Sequence, residues 1–225
     1  MRTSRRLQVQ GLVVASALLL AGATAKADCV SGTPARKQQA ADSSLSVLYE
    51  SGQRFPDFLA NAKARREGWL GLADSARISE TLLARARQVG GSWRFLVVAI
   101  DACGDSMNSV PYLALLASSV PGLDLRIVLP TEGRPVQQAH LSLDGRSATP
   151  TIVLLDDKGA DRGCIVELPR PIREWAHGLR GKVSTDSLRS GIRTFYAANR
   201  GEAMVTEAIE MLEAAKSGSR HCFTG

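Results

Sequence analysis

The chain has 225 residues, with 28 lysines and arginines against 22 aspartates and glutamates, a formal net charge of +6. Arg2, Arg5, Arg6 and Lys26 lie within the first 27 residues, with no acid among them, so the remainder carries 24 basic against 22 acidic residues. Such a balanced remainder excludes the strongly basic surface of a nucleic-acid-binding protein.

The first residues read as a targeting segment. A basic start, Arg2 to Arg6, is followed by the uncharged run GLVVASALLLAGA and then by Ala25-Lys26-Ala27. This is the layout of a secretory signal peptide over residues 1–27, with a mature chain beginning at about Asp28. The apolar run is shorter than the roughly 20 residues that span a bilayer. No stable membrane insertion is expected after its removal. Ala27-Asp28 ahead of Cys29 does not fit a lipidation box. The expected location is the periplasm or the medium.

Residues 28–42 are polar and are expected to be irregular. Residues 43–218 form one domain of three parts. The first, 43–91, is a helical extension. Leu45, Leu48 and Tyr49 recur at helical spacing. Phe55, Phe58, Leu59 and Ala62 mark a second helix, with Pro56 in its first turn. SARISETLLARARQV is a third helical stretch, ended by Gly90-Gly91. The clusters KARRE (Lys63 to Glu67) and RARQ (Arg85 to Gln88) read as solvated helix faces.

The second part, 92–171, is an α/β core. WRFLVVAID, Trp93 to Asp101, is a continuous apolar run of the kind a strand buried on both faces shows. A helix follows over about Gly104 to Ser119, and Pro111 inside it is expected to kink or break it. Leu123 to Leu129 is a second strand, and EGRPVQQAHLS a short helix. Thr151 to Asp156 and Cys164 to Leu168 form a hairpin around Asp157-Lys158-Gly159. The third part, 172–216, is helical, and 219–225 is a tail.

Cys103 directly follows a buried strand and opens a helix. Free N–H groups and the positive end of the helix dipole favour an anion there, so a thiolate is favoured. Ser106, three residues on, can donate its hydroxyl to the sulfur, whereas the charge of Asp105 would oppose a thiolate. Gly104 is expected to permit a tight turn. Pro111 lies eight residues beyond Cys103, and Pro150 opens a strand in Thr149-Pro150-Thr151.

These features resemble the thioredoxin superfamily. Its active site reads C-x-x-C at a helix start, with a proline eight residues beyond the first cysteine and a cis-proline entering the neighbouring strand. A closer likeness is to a bacterial branch of that superfamily. It carries a C-G-D-[S/A] site, then N-x-V-P, A-x-P-T and a W/E-x-P-R-P segment. Here these read Cys103-Gly104-Asp105-Ser106, Asn108-Ser109-Val110-Pro111, Ala148-Thr149-Pro150-Thr151 and Glu167-Leu168-Pro169-Arg170-Pro171. The resemblance implies a thioredoxin-like mixed sheet and a redox site without a cofactor. Cys103 and Ser106 would be catalytic. Ala102, Gly104, Asp105, Thr149 and Pro150 would meet a cysteine-containing protein or a small thiol. Ala102 stands where thioredoxins usually have Trp, and Ser106 cannot resolve a mixed disulfide as a second cysteine would. Two functions remain open: thiol–disulfide exchange completed by an outside thiol, and peptide binding without turnover.

Four cysteines allow three complete pairings, and spacing alone does not choose among them. Cys164 is expected roughly 15 Å from the active-site end, as a buried, inert strand residue. Cys29 and Cys222 flank the domain, and chain termini often lie close together. A bridge between them is therefore expected, worth about 5 kcal/mol at most on the chain-entropy model. No metal site is expected. His140, His177 and His221 make no spaced ligand pair.

Overall fold

Five strands assemble into one mixed sheet in the computed structural model, which describes residues 34–222. The proposed signal peptide, the start at Asp28 and Cys29 lie outside those residues. Four helices lead in: α1 (Pro34–Ser51), α2 (Phe55–Asn61), α3 (Arg66–Ser75) and α4 (Glu80–Val89). The core follows as β1 (Trp93–Val98), α5 (Gly104–Ser119), β2 (Leu123–Val128), α6 (Pro130–Ala139), β3 (Thr151–Leu155) and β4 (Asp161–Val166). Then come α7 (Arg170–Leu179), α8 (Thr185–Asn199), α9 (Glu202–Lys216) and a two-residue strand β5 (His221–Cys222). Among the described residues, no helix is long and apolar enough to cross a membrane.

The sheet order is β2-β1-β3-β4-β5. β1 and β2 are parallel, and α5 is the crossover between them. β3 and β4 are antiparallel, and β3 runs antiparallel to β1. Alternation along β1 explains its unbroken apolar run. Phe95 and Val97 enter the larger core with α5 and α9, while Leu96 and Val98 enter a second core with Tyr49 and Val136. The chain belongs to the α/β class with helices on both faces of the sheet.

Several expectations are corrected. The stretch 28–42 is not irregular throughout, because α1 already begins at Pro34. α5 continues through Pro111 as one helix. That proline is buried and removes one helical donor without ending the element. The tail at 219–225 contributes strand β5.

The largest correction concerns the cysteines. Cys164 is bonded to Cys222, so Cys222 does not pair with Cys29 and Cys164 is not an inert thiol. The reason is register. β5 lies parallel to β4, with Gly163 opposite His221 and Cys164 opposite Cys222, which brings the two Cα atoms to 4.5 Å. A short edge strand too small to hold itself is thereby fixed to the sheet. The first half of α9 is tied to α7 by a buried ion pair, Arg173 to Glu207 at 2.6 Å. Burial alone would raise the Glu207 carboxyl. His221, the Arg173 guanidinium and the Arg170 backbone N–H outweigh it and hold Glu207 below the ordinary carboxylate range.

Mass mapping of the unreduced protein is expected to give a Cys164–Cys222 peptide, with Cys103 alkylated. The bridge closes 58 residues of sequence separation. The chain-entropy model then gives Cys222→Ser a loss of about 2–4 kcal/mol in chemical denaturation. Recovery of a Cys29–Cys222 peptide would refute the pairing.

Candidate functional site

The antiparallel pairing of β1 with β3 fixes the site. Val98, at the end of β1, lies opposite Thr151, at the start of β3. The chain leaving β1 therefore meets the chain entering β3, and Cys103 faces Thr149. The Thr149–Pro150 peptide bond is cis. The Ala148 carbonyl accepts hydrogen bonds from the buried Gln137 amide and the Thr151 hydroxyl, both at 2.8 Å. On the far side, the Glu167 N–H donates to the Pro150 carbonyl at 2.8 Å. These bonds hold the loop from three directions.

Cys103 is a partly buried free thiol at the N-cap of α5. Its Sγ donates to the Thr149 carbonyl at 3.2 Å and accepts the Ser106 backbone N–H at 3.4 Å. The sulfur thus sits between an acceptor that suits the thiol and a helix N–H that suits the thiolate. Ser106 acts here through its main chain. Its hydroxyl is fully buried and has no hydrogen-bond partner among the described residues. The expectation that this hydroxyl bonds the sulfur is corrected: the side chain points into the protein. Gly104 also plays a different part from the one expected. Its φ is not positive, and an added Cβ would approach only the Arg65 guanidinium, at 3.9 Å. No tight turn demands glycine there. The Asn108 side-chain amide donates to the Gly104 carbonyl at 2.8 Å and secures the first turn.

The helical extension supplies one wall. The Asp101 carboxylate accepts the Lys63 and Ala64 backbone N–H groups at 2.7 and 2.8 Å. Burial would raise this carboxyl, but these N–H groups outweigh it and hold it below the ordinary carboxylate range. The buried Trp69 indole donates to the Asp101 carbonyl at 2.9 Å. Arg65 then donates to the Ala102 carbonyl at 2.8 Å. KARRE is therefore not merely a solvated face; it docks against the loop that carries Cys103. Ala102 itself is exposed beside the sulfur.

α8 supplies the opposite wall. Tyr196 is only 7% exposed, and its hydroxyl lies close enough to Asp105, Ser109 and Cys103 to interact electrostatically. The Tyr196 and Ser109 hydroxyls are both buried beside Asp105. Burial, together with the Asp105 charge, raises the Tyr196 phenol well above its ordinary value. Burial likewise pushes the Asp105 carboxyl up to about 6, with the Glu167 carboxylate adding to it, while Tyr196, Arg180 and Arg65 oppose the rise. Glu167 is held in turn by Arg146 and Arg180.

Of the residues singled out in the sequence, Ala102, Cys103, Thr149 and Pro150 meet at one place, together with the Ser106 main chain. Asp105 turns toward Tyr196. Arg65, Asp101, Trp69 and Tyr196 were not foreseen, because each reaches the site through a long-range contact. His140 is buried away from Cys103, with its ring nitrogens 2.8 Å from the Val136 carbonyl and from Asp161. Among the described residues, no group of three His, Cys, Asp or Glu side chains is placed to hold a metal.

A family model described as Thioredoxin matches residues 52–185. A crystal structure of a protein of unknown function from Pseudomonas aeruginosa is similar at a TM-score of 0.60 and 18% identity, covering 76% of this chain and 97% of that one. An HIV epitope scaffold is similar at the same TM-score and identity, covering 75% and 97%. No curated protein matches. The family match spans more than half of the chain and includes Cys103, Thr149 and Pro150. The chain belongs to the thioredoxin family.

Proposed function

We propose that this protein is an exported thiol–disulfide exchange catalyst of the single-cysteine, C-G-D-S branch. The observation that carries the reading is Cys103 Sγ, set at a helix start between the Ser106 N–H and the Thr149 carbonyl. Membership of the thioredoxin family supports redox-type chemistry. The basic and apolar run at residues 1–27 supports export to the periplasm or the medium.

The exchange begins when Cys103 loses its proton to solvent. The bond to the Thr149 carbonyl is then lost, and the Ser106 N–H remains on the sulfur. The thiolate attacks one sulfur of a substrate disulfide. A Cys103–substrate disulfide forms, and the other substrate sulfur leaves as a thiolate that takes up a proton. An outside thiolate next attacks the substrate sulfur of this mixed disulfide. A new substrate disulfide forms and the Cys103 thiolate returns. One thiol and one disulfide enter, and one of each leaves, so no net oxidation occurs. The Cys164–Cys222 bond leaves neither of those sulfurs as a resolving thiol.

Cys103→Ser is expected to abolish mixed-disulfide formation. Ser106→Cys supplies a thiol in the first turn of α5, and once its side chain rotates from the inward direction of the present hydroxyl toward Cys103 it should convert a nearly silent protein into an insulin reductase. If Ser106→Cys stays silent and wild-type Cys103 resists alkylation in the folded state, catalysis is refuted and peptide binding without turnover is the better account.

Asp105 gives a second test. Its raised carboxyl means that the folded state holds this proton more tightly than the unfolded chain does. The stability gained is complete below about pH 4 and is lost as pH rises through about 6. Asp105→Asn removes the charge. Its melting temperature should exceed that of the wild type at about pH 8, by the equivalent of about 1–2 kcal/mol, and the gap should close near pH 4. A gap of equal size at both pH values would show that Asp105 does not carry the proton.

A further inference from the structure

Beside Cys103, α5 and α8 enclose a cleft of about 280 Å³ whose lining begins at Gly104 and Asp105. Three guanidinium groups line it: Arg65 from the extension, and Arg189 and Arg193 from α8. Arg189 and Arg193 stand four residues apart, so they share one face of the helix, where like charges repel. Elsewhere Arg146, Arg162, Arg173 and Arg180 each meet a carboxylate. Arg189 and Arg193 meet none among the described residues. Among the described residues, Asp105 is the one acid lining the cleft. Glu167 acts on Asp105 from outside but is already paired with Arg146 and Arg180.

Tyr196 also lines this cleft, with its buried hydroxyl beside Asp105 and Ser109. A second, shallower cleft of about 510 Å³ adjoins the first through Arg65 and Met107, and adds Lys63 and Arg66 against Glu67. The two clefts together form a cationic track that passes the helix start carrying Cys103. Its several cationic side chains are complementary to a peptide segment that carries several carboxylates.

We propose that this track binds carboxylate side chains on either side of the cysteine in an acidic peptide segment. Resting on Cys103 as the exchanging thiol, the proposal makes Asp- and Glu-rich segments the preferred disulfide substrates. Arg65, Arg189 and Arg193 would take the carboxylates, and Met107 and Ile192 the apolar stems between them.

The test uses the full chain and short synthetic peptides. Each peptide holds one cysteine as a mixed disulfide with 5-thio-2-nitrobenzoate, flanked by either glutamates or glutamines. Attack by Cys103 on the peptide sulfur releases the coloured thiolate. Release is taken as the difference from Cys103→Ser. The glutamate peptide should react about tenfold faster at low ionic strength, because steering raises encounter rates. The ratio should fall toward one at about 1 M salt, where the screening length is about 3 Å. Arg189→Glu with Arg193→Glu should invert the preference, whereas Arg134→Glu, on α6, should leave it in place. Equal rates for the two peptides would overturn the inference. So would full preference for a tripeptide-sized dicarboxylate over the longer segment. Neutral iodoacetamide separates the two readings. If it alkylates wild-type Cys103 while charge preference is absent, only the acidic-substrate inference fails; if it does not, the exchange reading fails first.

Discussion

Everything at the site depends on the antiparallel register of β1 and β3. Because Val98 opposes Thr151, the chain leaving one strand and the chain entering the other emerge at the same edge of the sheet. Shifting that register by one residue would turn the apolar side chains of β3 to the wrong faces. Both faces of β1 and β3 are buried, so slippage is costly on either side. The sulfur-to-carbonyl distance of 3.2 Å between Cys103 and Thr149 therefore follows from core packing far from the sulfur. The site is rigid where two strands define it, and it can be varied where helices line it.

Those helices are what distinguish this protein from its core. α2 and α3 reach the site through Asp101, which receives two backbone N–H groups, and through Trp69, which meets the Asp101 carbonyl. α8 reaches it through Tyr196. The added helices do not merely pad the sheet. They place arginines on two sides of a cysteine whose immediate neighbour, Ala102, is small and exposed. A thioredoxin usually has Trp at that position as a platform. Here the charged walls stand farther out, so under the proposed reading recognition would move from the residue beside the sulfur to the side chains flanking it.

The sequence was legible where one pattern had one physical reading. The apolar run of β1 follows from local burial, and the turn at Gly159 from backbone freedom. β5 was illegible because two residues carry no periodicity, and its place is set by β4 and by Cys164. That made Cys164 seem isolated and left Cys222 open to the wrong partner. Arg65 looked like an ordinary solvated cation, and Arg189 belonged to no motif, since nothing local says that a helix face will turn toward a cysteine. The direction of the Ser106 hydroxyl was hidden for a related reason. Spacing put Ser106 in the right turn, but packing in the core decided which way its side chain points.

That last point bears on what a single cysteine can do at this position. The Ser106 hydroxyl is buried and does not reach the sulfur, so the helix offers Cys103 only main-chain stabilisation. Asp105 works against an anion while its carboxyl is charged, and burial lessens that opposition by raising the carboxyl to about 6. The thiolate is thus supported by the helix start and opposed by a neighbour that carries most of its charge at neutral pH. Any charge that recruits a substrate must come from elsewhere, and the arginines on the two flanking walls are placed to supply it. Under the proposed exchange, a site without a second sulfur has no internal resolution, but it keeps the strand-set position of Cys103 and the cationic clefts beside it. Partner choice would then rest on the walls, while the chemistry needs only the one sulfur.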